Sequence, residues 1–289
     1  MIRIDPKAMA FRRERATDLE QLAKFIDRRN VNISQNPSFK DAIRFLKDDT
    51  HVFLDEKGKP DASLWGYNID RLSVAIPVIP RHTTPAVQQL SLRISIKFTA
   101  DWQGWQKMQD PSRQLNLNVL LLGKNKDASN CLSSYHLDKH IDLPPPDPKA
   151  KPDPRVKPDP KAKPVVVPKA NLVPAEAHPL YHVQFGSAKI GKEKEALGLD
   201  LVNSGNLFMD TPRLMHHPLD LVLGIDFLLS NYLPVAWDAL QRDGHYANLC
   251  RKYQAAFWKP YIHAIAKHWD LHRDKDCWNA KNLIWPNLL

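Results

Sequence analysis

The sequence predicts an α+β fold: an antiparallel β-meander packed against C-terminal helices, with a helical N-terminal extension. Three observations carry this. The first sixty or so residues are polar and helix-periodic. From Leu72 the hydrophobic period changes to two. After Pro218 a nearly continuous apolar run begins that is long enough for a buried helix. Residues 1–62 are therefore read as the helical extension. Residues 63–289 are read as one α+β domain, interrupted by a Pro-rich loop at about 143–175.

In the extension, Thr17 is the candidate cap of a helix running through Arg29. Its apolar face is Leu19, Leu22, Ala23, Phe25 and Ile26. Ser38 is the candidate cap of a shorter helix through Lys47, with Ala42, Ile43, Phe45 and Leu46 inward. The breaks fall at Asn32–Pro37 and Gly58–Pro60.

The strands follow from alternation, because successive side chains of a strand point to opposite faces. Leu72, Val74 and Ile76 alternate with Ser73 and Ala75. Leu90, Leu92, Ile94, Ile96 and Phe98 alternate with polar residues, and so do Leu115, Leu117, Val119 and Leu121. Gly123-Lys124-Asn125 is the expected end of that last strand. Further strands are expected at Leu132–Ile141, Leu180–Phe185 and Leu199–Met209. Neighbouring strands with polar loops predict an antiparallel meander.

Between two of these strands lies a tandem hexapeptide repeat: PDPKAK at Pro146–Lys151, PDPRVK at Pro152–Lys157 and PDPKAK at Pro158–Lys163. Proline at such density blocks both helix and ladder, so polyproline II or disorder is expected. The repeat reads as a spacer grown by duplication, or as a docking site for an SH3-like partner.

Pro218 is expected in the first turn of the helix that carries LDLVLGIDFLLSNY, with Pro234 as its stop. A helix so apolar belongs against the sheet. Two or three more helices are expected through His272, punctuated by Gly244 and Pro260. The tail CWNAKNLIWPNLL is apolar and irregular, suited to packing back or to a partner contact.

Bulk composition excludes several classes. No apolar run reaches the ~18 residues of a membrane helix. The N-terminus has charge without an apolar core, which argues against a secretory signal. Three widely spaced cysteines, Cys131, Cys250 and Cys277, form no CxxC and fit neither a disulfide framework nor a cysteine zinc site. A cytoplasmic setting is expected. The net charge is +9 over 289 residues, and the stretch from Asp147 to Ala170 holds seven basic and three acidic residues. Nucleic-acid binding through that stretch is a weak third reading.

Histidine supplies the candidate chemistry. His136, Asp138 and His140 stand at i, i+2 and i+4 and share one face of a strand. His182 and Gln184 share a face of a later strand with His178 in register. If the two strands pair, a His/Asp cluster can bind Zn or Mn and activate water. No Glu stands nearby as a general base. No GxSxG and no GxxxxGK[ST] occurs. Asp226, amid Ile225 and Phe227, is read as the solvated edge of the apolar helix.

Gly205-Asn206-Leu207-Phe208-Met209-Asp210, followed by His216-His217-Pro218 and a helix with Leu228-Leu229 and Pro234, resembles the ubiquitin-conjugating enzymes. That family has Gly-x-Ile-Cys-Leu-Asp in the first position, and a Pro that opens a helix at the same spacing as Pro218. Asp243, Tyr246 and Arg251 are similar to the family's later helix, and His178-Pro179 to its His-Pro-Asn. Phe208 stands where the family has its catalytic Cys, and Leu180 where it has Asn. The Pro-rich insert and the N-terminal extension are foreign to it. The resemblance implies a variant without thioester chemistry, acting as a binding module for a ubiquitin-like protein or a conjugation subunit.

Two readings follow. One is a non-catalytic protein-interaction module needing no cofactor, with Phe208, His178, His217, Trp258 and Trp285 as binding candidates. The other is a metal-dependent hydrolase or nuclease using His136, Asp138, His140 and His182 with Zn or Mn.

Overall fold

The computed structural model describes residues 4–29, 31–55, 58–79, 86–107, 110–126, 130–139, 181–186 and 214–268. Among them the fold is α+β. The expected strand at Leu199–Met209, the Pro-rich repeat and the apolar tail lie outside the described residues.

Helix α1 runs Pro6–Asp27, and α2 runs Pro37–Lys47 after a 3-10 turn at Ile33–Gln35. Neither begins at its expected cap. Asp5 caps α1 by accepting from Lys7 N, and Pro6 presets the first turn. Thr17 instead lies mid-helix, where its hydroxyl donates back to the Arg13 carbonyl at 3.1 Å. Asn36 caps α2, accepting from Phe39 N at 3.1 Å, again just before a proline. Ser38 donates to the Asn36 carboxamide oxygen at 2.6 Å. The apolar faces are nearly as expected, with Leu19, Leu22, Ala23, Ile26, Ala42 and Leu46 buried and Phe25, Ile43 and Phe45 partly so.

Arg12 of α1 fixes the other end of α2. It donates to the carbonyls of His51 at 2.9 Å, Phe45 at 2.5 Å and Asp48 at 3.1 Å. Those carbonyls have no intrahelical partner, so the guanidinium closes the helix C-terminus. Burial lowers the Arg12 pKa to about 10, which leaves it charged at neutral pH.

A two-stranded ribbon, β1 (Phe53–Leu54) and β2 (Pro60–Asp61), precedes the main sheet. That sheet has six strands: β3 (Leu64–Ile76), β4 (Val87–Asp101), β5 (Ser112–Asn125), β6 (Asn130–Lys139), β7 (Tyr181–Phe185) and β8 (Leu214–Met215). They lie in chain order and every neighbouring pair is antiparallel. A short helix α3, Trp102–Gln106, follows β4. As expected, β5 ends within Gly123-Lys124-Asn125, its last residue being Asn125, and these residues still pair: Gly123 with Leu90 on one side and Cys131 on the other. The long connection between β6 and β7 joins direct neighbours in the sheet.

Three helices follow: α4 (Leu221–Tyr232), α5 (Pro234–Gln241) and α6 (Gly244–His268). Asp220, not Pro218, opens α4, by accepting from Leu223 N at 3.0 Å. The Pro218 carbonyl instead receives the Trp258 indole N–H at 2.8 Å. Pro260 lies within α6 without ending it. As expected, α4 packs on the sheet. Gly224 lies so close that a Cβ there would stand 3.2 Å from Leu117 Cδ2 of β5. Asp226 is not a solvated edge. It accepts from Trp237 Nε1 and Gln241 Nε2, both at 2.9 Å, and from Tyr246 OH at 3.0 Å. One carboxylate thereby ties α4, α5 and α6 together.

The helices cover the face of the sheet that carries Ile96, Phe98, Leu115, Leu117 and Val119, all buried. A single hydrophobic cluster runs from Ile4 of the N-terminal segment to Ala264 of α6, so α1 and α2 share it with the sheet. No helix among the described residues is long and apolar enough to cross a membrane.

Candidate metal centre

Burial of the odd residues of β5 and β6 against the helices sends the even residues to the opposite face. Register then aligns them. Asn118 pairs with His136, and His136 pairs with Gln184. One row further along, Asn116 pairs with Asp138, and Asp138 pairs with His182. A strand alone puts His136 and Asp138 on one face; antiparallel pairing with β7 brings His182 directly beside Asp138.

His136, Asp138 and His182 each offer a ligand atom, and the three atoms lie within 4.8 Å of one another. His136 Nε2 and Asp138 Oδ2 are 3.4 Å apart. The His136 and His182 rings are 6.5 Å apart between centroids and cross at 78°. Both imidazoles are buried, at 5% and 4% exposure. A tetrahedral ion with bonds of ~2.1 Å holds its ligand atoms roughly 3.4 Å apart. The first pair already meets that spacing, and the third atom lies within 4.8 Å of both.

The carboxylate is oriented from behind. Asn118 Nδ2 donates to Asn116 Oδ1 at 2.5 Å, and Asn116 Nδ2 donates to Asp138 Oδ1 at 2.6 Å. This holds Oδ1 and turns Oδ2 toward His136, the arrangement by which outer groups fix the ligands of metal sites. Two imidazoles and one carboxylate suit a borderline divalent cation, and three protein ligands leave a coordination position for water or substrate.

A cavity of about 200 Å³ opens beside His136 on the same face, lined by Asp70, Arg71, Arg93, Ser95, Asn118 and Ser134 among others. Asp70 and Arg71 form a β-bulge. Ile69 pairs with Ile96 and Leu72 with Ile94, so two residues of β3 stand opposite Ser95 of β4. Arg71 has φ +52°, an uncommon backbone for a residue other than glycine. The N-terminus of α2 holds the bulge: Asn36 Nδ2 bonds the carbonyls of Asp70 and Arg71, and Asp70 N donates to Ser38 Oγ at 2.9 Å.

Of the metal residues expected from sequence, His136, Asp138 and His182 are thus brought together, while His140 lies outside the described residues. Of the binding candidates, His178, Phe208 and Trp285 also lie outside them. His217 and Trp258 meet each other, ring centroids 4.4 Å apart at 70°, beneath the turn into α4. Burial and the neighbouring His216 lower the His217 pKa to about 4, so that ring is neutral near pH 7. Asn116 and Asn118 read in the sequence only as the polar half of an alternating strand. The signal was an Asn-x-Asn on the same face as the His-x-Asp of the next strand.

Comparison with known proteins gives no match to any family model, curated protein or solved structure.

Proposed function

We propose that this protein is a divalent-metal-dependent hydrolase whose metal, Zn or Mn, is held by His136, Asp138 and His182. The supporting observation is the convergence of three ligand atoms within 4.8 Å, from two buried imidazoles and a partly buried carboxylate on two paired strands, beside a cavity. A bound divalent ion supplies a Lewis acid and a water acidic enough to ionise near neutral pH. The protein's part is to hold two imidazoles and a carboxylate, to orient that carboxylate through Asn116 and Asn118, and to shape the cavity that receives substrate.

Metal analysis of the full chain, purified without chelator, tests this. About one Zn or Mn per chain is expected, with a melting temperature that falls on chelation and returns with the ion. The His136→Ala/His182→Ala variant should lose both effects. Absence of bound metal together with an indifferent melting temperature would overturn the reading.

A second reading, a conjugating-enzyme-like interaction module, is supported by the order of elements: helix, antiparallel meander, then helices. Of the residues that carry the resemblance, 178–180 and 205–210 lie outside the described residues, while His216, His217, Pro218, Leu228, Leu229, Pro234, Asp243, Tyr246 and Arg251 lie within them. Failure to retain any ubiquitin-like protein or conjugation subunit in a pull-down with the full chain counts against it.

A further inference from the structure

We propose that the cavity beside His136 is an oxyanion subsite that takes the phosphate group of a small substrate, with Arg93 as its principal cation. Its catalytic meaning rests on the metal reading above, but the subsite stands on different residues.

Charge is the first argument. Two guanidiniums, Arg71 and Arg93, line the cavity against one carboxylate, Asp70. That carboxylate is engaged: Oδ1 accepts from Ser95 Oγ at 2.9 Å, and Oδ2 stands 3.7 Å from Arg71 Nε. Arg93 is half-buried, and its side chain makes no hydrogen bond or ion pair with the described residues. A guanidinium so placed can take an anion in the cavity as its partner.

Placement is the second. Arg93 pairs with Leu120 of β5, and Leu120 pairs with Ser134 of β6. Ser95 pairs with Asn118, and Asn118 with His136. The cation and the candidate metal ligand therefore occupy adjoining rows of one face, with Ser95, Asn118 and Ser134 between them. Guanidinium matches a phosphate group with paired donors, which an ammonium cannot do.

Construction and size complete the case. The bulge keeps Arg71 at positive φ, a cost that persists only where the surroundings enforce it, and here the α2 cap does so. At about 200 Å³ the cavity is smaller than the ~300–1,000 Å³ of sites for drug-sized ligands. It admits a phosphate with a small substituent and not a polymer lying across the sheet.

Isothermal titration of the full chain with inorganic phosphate and with phenyl phosphate, in metal-loaded and chelated protein, tests this. Saturable phosphate binding is expected, with acetate much weaker. Arg93→Gln should weaken it about ten- to hundredfold while metal content and melting temperature hold. Arg93→Lys should restore part of it, which separates lost recognition from misfolding. Binding of phenyl phosphate as tight as that of phosphate identifies an ester substrate, and its exclusion identifies free phosphate as the ligand; either supports the subsite. Phosphate binding that survives in chelated protein supports the subsite even where the metal reading has failed. Absence of saturable binding in the unaltered chain, or equal affinity in Arg93→Gln, overturns the subsite whether or not metal binds.

Discussion

Two clusters of buried ionisable groups lie on opposite faces of one sheet and are built on opposite principles. On the helix face, Arg15 is 1% exposed and sits against Glu14 and, at 3.2 Å, Asp18. Lys252 of α6 reaches Glu14 at 2.6 Å and Asp18 at 2.9 Å, and Tyr253 OH donates to Asp18 at 3.0 Å. Arg15 Nε and Nη1 meet no acceptor among the described residues. The guanidinium instead lies over Trp105 at 4.5 Å, Phe11 at 4.7 Å and Tyr253 at 5.5 Å. There opposite charges cancel and aromatic faces close the remainder. On the other face, two imidazoles and a carboxylate place three possible ligand atoms within 4.8 Å of one another beside a cavity. Cancelled charge joins elements, whereas two imidazoles and a carboxylate converging on one point are what the proposed metal site requires. Burial is common to both clusters; the composition of the groups differs.

The largest effect should come from the cancelled cluster. Asp18→Ala removes the carboxylate shared by Arg15, Lys252 and Tyr253, leaving Arg15 buried beside the half-exposed Glu14. A loss of about 3–5 kcal/mol in urea unfolding is expected, since it strands a buried charge. Metal content per folded chain should not change. If it falls, the two faces are coupled and the distinction weakens.

A smaller effect should appear with pH on the helix side. Asp220 is fully buried at the start of α4, bonded to Leu223 N and to Tyr67 OH. Burial raises its pKa from 3.8 to about 7. The folded state thus keeps a proton that the unfolded chain releases at lower pH. The stability tied to that proton is present below pH 3.8 and is lost as pH rises toward 7. Between pH 5 and 8 that loss is roughly 2–3 kcal/mol. His217 works the other way, because burial and His216 lower its pKa from 6.5 to about 4. Its contribution is present above 6.5 and is lost as pH falls toward 4. Asp220→Asn should therefore remove the decline with rising pH and expose the loss of stability as pH falls below 6.5 that His217 imposes. An unchanged pH profile in that variant would show that Asp220 ionises normally.

How much of this was readable from sequence follows the same division. Alternation at Leu92–Phe98 and Leu115–Leu121 exposed the strands, because one buried face imposes a strict period. The caps lie at Asp5 of Asp5-Pro6 and Asn36 of Asn36-Pro37, not at Thr17 and Ser38, because a residue type that can cap does so only at a helix start. In each of those pairs a cap acceptor and a preset proline act together. His-x-Asp-x-His put His136 and Asp138 on one face. That Asp138 faces His182 depends on register across a long connection, which no local pattern encodes. The bulge left only a faint trace, the broken alternation from Ile69 through Asp70-Arg71 to Leu72. Arg93, half-buried beside the cavity, looked like any solvated strand position.

The sharpest test of the comparison is the smallest change. Asn116→Ala deletes the donor that holds Asp138 Oδ1 at 2.6 Å and breaks the relay from Asn118. If the strand cluster gathers lone pairs for a cation, the variant should bind Zn or Mn about 10–100-fold more weakly, as the carboxylate loses its orientation. The metal-free variant should melt near the unaltered protein, because no opposite charge has been stranded. Competition against a chelator and melting with and without metal measure the two quantities separately. A variant that loses stability on the scale of Asp18→Ala, yet binds metal as before, would place His136, Asp138 and His182 among the structural clusters. The contrast between the two faces would then be one of composition and not of function.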